Sequence, residues 1–232
     1  MLTFCHPQKK FLRQIVSTLL VSCGTVIELS LAKINCMAKV IWKPGTMIYP
    51  LPAVMVSCGA VPGEYNIITV SWTGTICTDP AMCYISVRPE RHSYGIIKKR
   101  GEYIINLTTR SLAFAADWCG VKSGSKHKKF EETGLTPVPA SRVGAPMILE
   151  SPVNIECTVR DIIELGTHHM FISDVVAVNA DEKYIDKSTG LFRLNDSSPV
   201  CYSHGNYYST GELIGKFGFS VQKKAKRNKS RR

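Results

Sequence analysis

The amino-acid sequence predicts a mainly β fold, an antiparallel barrel that is closed or partly closed and carries a few peripheral helices. From residue 40 onward, short runs rich in β-branched and aromatic residues alternate with turn residues, which is typical of a barrel of short strands. The chain has no internal repeat, no low-complexity linker and no change of composition near its midpoint. One domain therefore accounts for most of the 232 residues.

The strands are predicted from apolar runs and from alternation. The run from Asn66 to Trp72 is rich in β-branched residues and is bounded by glycine-containing turns. Apolar and polar residues alternate over 153–159, as in a strand with one buried face. In order, the predicted strands are 66–72, 84–87, 153–159 and 170–178, with weaker candidates at 191–194 and 218–221.

Three helices are predicted, at 93–100, 111–118 and 126–133. Ser93 is placed to cap the first helix, and Gly101 to end it after a cationic last turn that suits the helix dipole. Gly120 and Gly134 mark the ends of the other two helices.

The formal net charge of +11 is concentrated at the two ends of the chain. Residues 223–232 carry seven positive charges and no acid, and residues 1–36 carry a net charge of +3, which leaves +1 for 37–222. Because tight binding to nucleic acid usually needs a folded basic surface, no nucleic-acid partner is expected. The tail is predicted to be solvated, with a weak contact to a polyanion or a membrane surface as the alternative.

Residues 1–36 differ from the rest, because basic residues precede an interrupted apolar stretch from Ile15 to Leu31. Three interpretations compete: an upstream in-frame extension before a true start at Met37, a targeting or lipoprotein signal, and an ordinary N-terminal helix. The stretch is too short and too interrupted to predict a membrane span, so no membrane contact is expected unless the segment is a signal. The predicted divisions are an N-terminal extension (1–36), one domain (37–222) and a basic tail (223–232).

The nine cysteines are odd in number and form no C-x-x-C pair, which argues against zinc or a redox dithiol. Buried free thiols in a reducing compartment are expected, and the cytoplasm is the predicted location. Cys119 lacks a clear histidine partner, so a small buried residue is expected there rather than a nucleophile. His168 and His169 are adjacent and would point to opposite faces of a strand, so no metal site is predicted.

The segment from Ser86 to Ser93 contains residues that suit a phosphate monoester. A strand ends there, Pro89 turns the chain, and a helix begins, so unpaired backbone N–H groups and a partial positive charge are expected. Arg88 and Arg91 add guanidinium groups that suit phosphate oxygens. The alternative is a capped surface helix beside two solvated arginines.

The segment from Thr69 to Trp72 is apolar but also carries hydroxyl groups. Alternation places Thr69 and Ser71 on one face, and Val70 and Trp72 on the other. Hydroxyl and backbone groups here could meet the polar edge of a flat heterocycle. The alternative is ordinary cross-strand pairing, with Trp72 in the core.

Taken together, these motifs resemble the flavin reductase-like domain family, and within it the flavoredoxins. The family shows a T-V-S-W-type strand, a D-P turn and then S-x-R-P-x-R-x-S, which stand here at 69–72, 79–80 and 86–93. The similarity continues at 101–107, 117–124, 134–137, 165–168 and 211–218, so it covers about 38–222. The combined order is more specific than any single motif.

The resemblance implies a split β-barrel, FMN at the interface of a homodimer, and transfer of a hydride or of electrons. The favoured function is an NAD(P)H-dependent flavin oxidoreductase. The alternative is a flavoredoxin-like carrier that passes electrons between protein partners, and a basic-tailed binding protein without flavin chemistry is the third hypothesis. Because the cofactor does the difficult chemistry, no catalytic residue is named.

Carried over by position, twelve residues would contact FMN. The segment 69–72 would line the isoalloxazine and the ribityl chain, 86–93 would hold the phosphate, and the loop 117–124 would lie near the ring. His92 stands where relatives often carry an aromatic residue, which leaves its role open. The twelve are Thr69, Val70, Ser71, Trp72, Ser86, Val87, Arg88, Arg91, His92, Ser93, Cys119 and Ser123.

Overall fold

The computed structural model describes residues 39–221. Residues 39–47 are exposed, form neither helix nor strand, and belong to a different unit from the compact one that begins at Ile48. The predicted extension (1–36) and basic tail (223–232) lie outside the described residues, and the division of the chain into three parts stays a prediction. Within 39–221, no helix is both long and apolar enough to cross a bilayer.

The compact unit is mainly β, as predicted. Its strands are β1 (Leu51–Pro52), β2 (Val54–Cys58), β3 (Asn66–Val70), β4 (Thr73–Thr78), β5 (Ala81–Val87), β6 (Glu102–Leu107), β7 (Pro137–Val138), β8 (Met147–Ile148), β9 (Val153–Glu164), β10 (His169–Ala180), β11 (Val200–Ser203) and β12 (Asn206–Ser209). Its α-helices are α1 (His92–Arg100), α2 (Ala113–Val121) and α3 (Lys129–Thr133). Short 3-10 turns lie at Pro62–Glu64, Arg110–Leu112, Glu182–Tyr184, Leu194–Ser197 and Phe219–Val221.

Seven strands form the main sheet, in the order β3-β2-β6-β9-β10-β5-β4, and all neighbours are antiparallel. The edge strands β3 and β4 follow each other in the chain and are separated by Ser71 and Trp72 alone. The hairpin of β11 and β12 joins β1 in a separate three-stranded sheet. The chain therefore passes directly from one edge of the main sheet to the other.

Side chains of β2 and β3 enter two different cores. Val54 and Val56 pack with Val70 in a core that also contains residues of α1, whereas Met55 and Ile67 pack against α2 and α3. Because successive side chains in a strand point to opposite faces, helices on both faces bury both sets. This explains why these strands are apolar throughout.

A buried carboxylate fixes the loop before β8. Glu156 is fully buried on β9. One carboxylate oxygen accepts hydrogen bonds from the Ser141 amide (2.9 Å), the Ser141 hydroxyl (2.6 Å) and Asn179 Nδ2 (2.7 Å). The other accepts from the amides of Arg142 (2.6 Å) and Val143 (3.1 Å). Burial alone would raise the pKa of Glu156, but these hydrogen bonds outweigh it and lower the pKa to about 2.

The helices differ from prediction in how they begin. Ser93 does not cap α1, because the helix begins at His92 and its N-cap residue is Arg91, whose side chain makes no capping hydrogen bond. Instead, the Ser93 hydroxyl is buried and accepts a hydrogen bond from Asn66 Nδ2 at 2.7 Å. The second helix starts at Ala113, after a 3-10 turn, and the third is shorter than predicted and starts at Lys129.

The two weaker strand predictions are wrong. The predicted strand 191–194 contains one isolated bridge at Phe192 and then enters the 3-10 turn Leu194–Ser197. The predicted strand 218–221 is largely the 3-10 turn Phe219–Val221. A run of four residues has a β-like pattern but needs a neighbouring strand to satisfy its backbone groups, and a turn satisfies some of them locally.

Candidate functional site

The twelve predicted site residues lie around two adjoining cavities, where β3 and β5 end and α1 begins. The first, here called the aromatic cavity, has a volume of about 240 Å³ and contains Trp72, His168, Tyr202 and Tyr207 in its wall. The second, the basic cavity, has a volume of about 280 Å³ and contains Arg91, Lys122 and Lys129. Eight predicted residues line the aromatic cavity: Thr69, Val70, Ser71, Trp72, Ser86, Val87, Arg88 and Arg91.

The other four predicted residues line the basic cavity, and Arg91 lines both. Ile68 and Gly120 are also shared between the cavities. The sequence-distant segments 68–72, 86–93 and 117–124 therefore meet at one place. The four residues of the basic cavity are His92, Ser93, Cys119 and Ser123.

The aromatic cavity has rings on two sides. Trp72 stacks on His168, with ring centroids 5.9 Å apart and planes 14° from parallel. On the β11–β12 hairpin, Tyr202 and Tyr207 meet edge to face at 5.8 Å. The Thr69 hydroxyl donates to the carbonyl of Ala116 and so fixes the end of β3 against α2. These surfaces suit a flat aromatic ligand.

His168 lines the aromatic cavity, a position that was not predicted from the sequence. Its partner in the sequence, His169, points elsewhere and lies 2.9 Å from the Tyr94 hydroxyl. Burial lowers the pKa of His168, and the positive charges of Arg88 and Arg91 lower it further, although Glu90 opposes them. The imidazole is therefore neutral at pH 7 and can stack without adding charge.

The basic cavity collects positive charge at the start of α1. The side chain of Arg91, the residue before this helix, makes no capping hydrogen bond, and the first turn carries no acid. The first N–H groups and the positive end of the helix dipole are therefore open to an anion. Arg88 is exposed and pairs with Glu90 at 2.6 Å. Among the residues that the structure describes, Arg91 forms no ion pair, so its guanidinium is available to a ligand.

Lys129 is a buried cation of the basic cavity that was not predicted from the sequence. It is 3 % exposed, and its Nζ donates to the carbonyls of Ile67 (2.7 Å) and Cys119 (2.6 Å), which leaves one of its three N–H groups for the cavity. Burial lowers its pKa, and nearby Arg91 lowers it further, against the opposing influence of the Cys119 and Cys58 thiols. In the sequence it belongs to a run of lysines that looks like a solvated surface.

The two remaining residues of the basic cavity play smaller parts. Cys119 is fully buried, and burial raises the pKa of its thiol to about 11, so it is a neutral packing residue at pH 7, as expected. Ser123 is exposed and its hydroxyl lies 2.9 Å from that of Ser125. Gly124 is held close to Asn66: a Cβ there would lie 2.1 Å from Asn66 Oδ1. A side chain at this position would have to displace the Asn66 amide, which donates to Ser93.

The residues present fit a flat heterocycle joined to a phosphate. Rings line one cavity, and an uncapped helix start with a free guanidinium and a buried ammonium lines the next. Phosphate oxygens prefer such donors. The two cavities adjoin at Ile68, Arg91 and Gly120, which places the ring surface and the cationic donors next to each other.

Comparison with known proteins agrees with this geometry. The family model "Flavin reductase like domain" matches residues 46–211. Flavoredoxin of Desulfovibrio vulgaris (Miyazaki F) superposes with a TM-score of 0.73 and 31% identity, covering 79% of this chain and 100% of that chain. An uncharacterized protein of Pyrococcus abyssi is 28% identical over 157 residues, which are 68% of this chain and 90% of that protein.

The predicted barrel type is also confirmed. A solved protein of Shewanella frigidimarina NCIMB 400 with a split barrel domain superposes with a TM-score of 0.64 and 24% identity, covering 72% of this chain and 85% of that chain. With the flavoredoxin superposition, this establishes a split β-barrel. The chain belongs to the flavin reductase-like domain family.

Proposed function

We propose that this protein binds FMN and works as an NAD(P)H-dependent flavin oxidoreductase. The isoalloxazine ring occupies the aromatic cavity and the phosphate occupies the basic cavity. The observation that carries this proposal is that two cavities adjoin, one lined by aromatic rings and the other by cationic donors. Family membership supports a flavin-dependent redox role.

In this proposal the protein's own residues position and shield the ligand. Trp72 and His168 form one wall for the ring, and the β11–β12 hairpin forms another. Arg91, Lys129 and the start of α1 neutralise the phosphate. When bound, FMN supplies the site with a carrier of hydride or of single electrons, so no side-chain acid or base is needed.

A second candidate function is electron transfer between protein partners. The flavoredoxin of Desulfovibrio vulgaris supports it, because that protein and this chain are 31% identical over its whole length. In this alternative, a redox protein replaces NAD(P)H as the electron donor. The two functions share the same flavin site and differ in what approaches its open face.

We also propose that the protein is a homodimer in the cytoplasm. Phe114 and Val121 on α2 are 77% and 69% exposed, and they are seven residues apart on one helix face beside the aromatic cavity. A second copy would cover such apolar surface. The six cysteines of the described residues are all free, which suits a reducing compartment. Light scattering of the purified protein tests the dimer.

An absorbance spectrum tests the proposed function. The purified protein is reconstituted with FMN, then given NADH or NADPH without oxygen. Flavin bands that bleach rapidly support the oxidoreductase. Bands that persist with both nucleotides but bleach with a reduced redox protein support the carrier. A protein that takes up no FMN refutes both and leaves a binding protein without flavin chemistry.

A further inference from the structure

After β12, the chain continues in a segment, 213–221, whose apolar side chains face solvent. Thr210, just before it, still donates a backbone hydrogen bond to the carbonyl of Pro199 at 3.2 Å. Five of the nine residues from 213 to 221 are large and apolar, and each of the five is more than half exposed. A cluster of exposed apolar side chains marks a surface that a partner or a membrane covers. The five residues are Leu213, Ile214, Phe217, Phe219 and Val221.

The segment 213–221 folds into a local turn that satisfies part of its own backbone. The amide of Phe219 donates to the carbonyl of Lys216 at 2.9 Å, and the amide of Val221 donates to that of Gly218 at 3.1 Å. Gly218 has a φ of +83°, a conformation that favours glycine. The Phe219 ring lies against Gly215, where a Cβ would come within 2.7 Å of it. Because these amides are already paired, the free-energy cost of removing the turn from water is lower.

A dense positive charge follows this turn in the sequence. Residues 223–232 carry seven lysines and arginines and no acid, and Lys216 adds an exposed cation within the turn. Glu212 is the single acid from residue 210 to the end of the sequence. An anionic lipid surface attracts such a basic cluster, and apolar side chains beside the cluster insert at the level of the headgroups. Two such signals together anchor a protein more firmly than either does alone.

We propose that residues 213–232 bind the protein to the surface of an anionic membrane. The apolar side chains of 213–221 enter the headgroup region, and the basic residues of 223–232 contact the anionic headgroups. The apolar residues favour a membrane over a nucleic acid, because a nucleic acid would use the cations and leave the five apolar side chains in water. This inference goes beyond the proposed function, since it gives the segment no part in flavin chemistry.

Flotation of the full chain with lipid vesicles tests the proposal. Vesicles of phosphatidylcholine alone are compared with vesicles that also contain phosphatidylserine. We expect binding to the anionic vesicles only, and a loss of binding as the salt concentration rises, because salt screens exposed charges. A variant that lacks 223–232 should bind at least about 100-fold more weakly, since each Lys or Arg near the surface strengthens binding on the order of fivefold. An unchanged Tm would show that this variant is folded.

Two exposed leucines provide matched variants. Leu213, in the turn, is 72% exposed, and Leu191, far from it in the sequence, is 66% exposed. Leu213→Ser should weaken binding to the anionic vesicles about tenfold, because the side chain no longer leaves water. Leu191→Ser loses the same apolar group from a surface outside 213–232 and should leave vesicle binding unchanged.

Four outcomes overturn the inference. The first is the absence of binding to anionic vesicles at low salt, and the second is equal binding to vesicles of both compositions. If deletion of 223–232 removes binding but Leu213→Ser leaves it unchanged, the tail is a general contact for polyanions and the turn takes no part. If Leu213→Ser lowers the molecular mass in light scattering and leaves vesicle binding unchanged, the turn is a contact between copies of the chain. The proposed function stands in all four cases, because flavin binding is measured separately.

Discussion

The buried carboxylate of Glu156 allows a quantitative prediction. The pKa of Glu156 is lowered from 4.5 to about 2 in the folded protein. A group with a lowered folded pKa stabilises the fold above its unfolded pKa, and loses that contribution as the pH falls toward the folded pKa. The shift corresponds to at most about 3 kcal/mol.

Glu156→Gln keeps the shape of the side chain and removes its charge. The amide NH2 would replace one of the two accepting oxygens, and so turn its N–H groups toward either the Ser141 donors or the Arg142 amide. We expect the free energy of unfolding to fall by about 2–3 kcal/mol at pH 7, and the loss to shrink markedly at pH 3. Urea unfolding followed by tryptophan fluorescence at both pH values measures it.

An exposed carboxylate serves as the control. Glu150 accepts a hydrogen bond from the Thr136 amide at 3.1 Å but is solvent-exposed, so Glu150→Gln should cost less than about 1 kcal/mol. If Glu156→Gln has the same effect at pH 7 and pH 3, or costs no more than the control, the reasoning is refuted.

Three further predictions concern the helix start and its surroundings. Arg91→Ala should weaken FMN binding by about 10- to 100-fold and leave the affinity for riboflavin unchanged, because a charge-assisted contact to the phosphate is lost. Titration with both ligands measures this. Arg88→Ala is the control and should have the smaller effect, because the Arg88 guanidinium already pairs with Glu90. Gly95→Ala should stabilise the protein by about 0.5–1 kcal/mol, since alanine favours the helix and meets no neighbour; thermal unfolding measures it, and an unchanged or lower Tm contradicts the argument. Lys129→Met should leave two buried carbonyls without a donor and lower the free energy of unfolding by about 1–3 kcal/mol. It should also weaken FMN binding. Urea unfolding and titration measure the two effects, and an unchanged free energy of unfolding would show that the ammonium is dispensable.

Local signals in the sequence predicted the long strands and two helix ends well. Alternation over 153–159 marked β9, and Gly101, with φ of +70°, ends α1 as predicted. Gly134, with φ of +70°, ends α3 as predicted. The end of β3 was placed two residues too far, at Trp72 instead of Val70. Ser71 and Trp72 continue the β-like composition, but they form the link to β4, a feature of the whole sheet that composition does not record.

The candidate site was predicted only as far as its residues lie in contiguous motifs. The segments 69–72 and 86–93 stand out because each combines donors with a strand end or a helix start. Lys129 and His168 did not stand out, because their roles depend on what surrounds them. A lysine in a run of lysines gives no sign of burial, and the stack of His168 on Trp72 joins residues that are far apart in sequence.

The position of β3 and β4 has a mechanical consequence for the cavities. These strands are the two edges of the seven-stranded sheet, and Ser71 and Trp72 are the two-residue connection between them. A single backbone hydrogen bond, from Ser86 N to Trp72 O at 2.8 Å, anchors Trp72 to the end of β5. The other strand pairs are held together by ladders of backbone hydrogen bonds, whereas no ladder joins β3 to β4 within residues 39–221. The aromatic cavity lies at this junction between the two edges. A ligand bound there holds the edges together, and the free energy of its binding adds to the stability of the folded barrel.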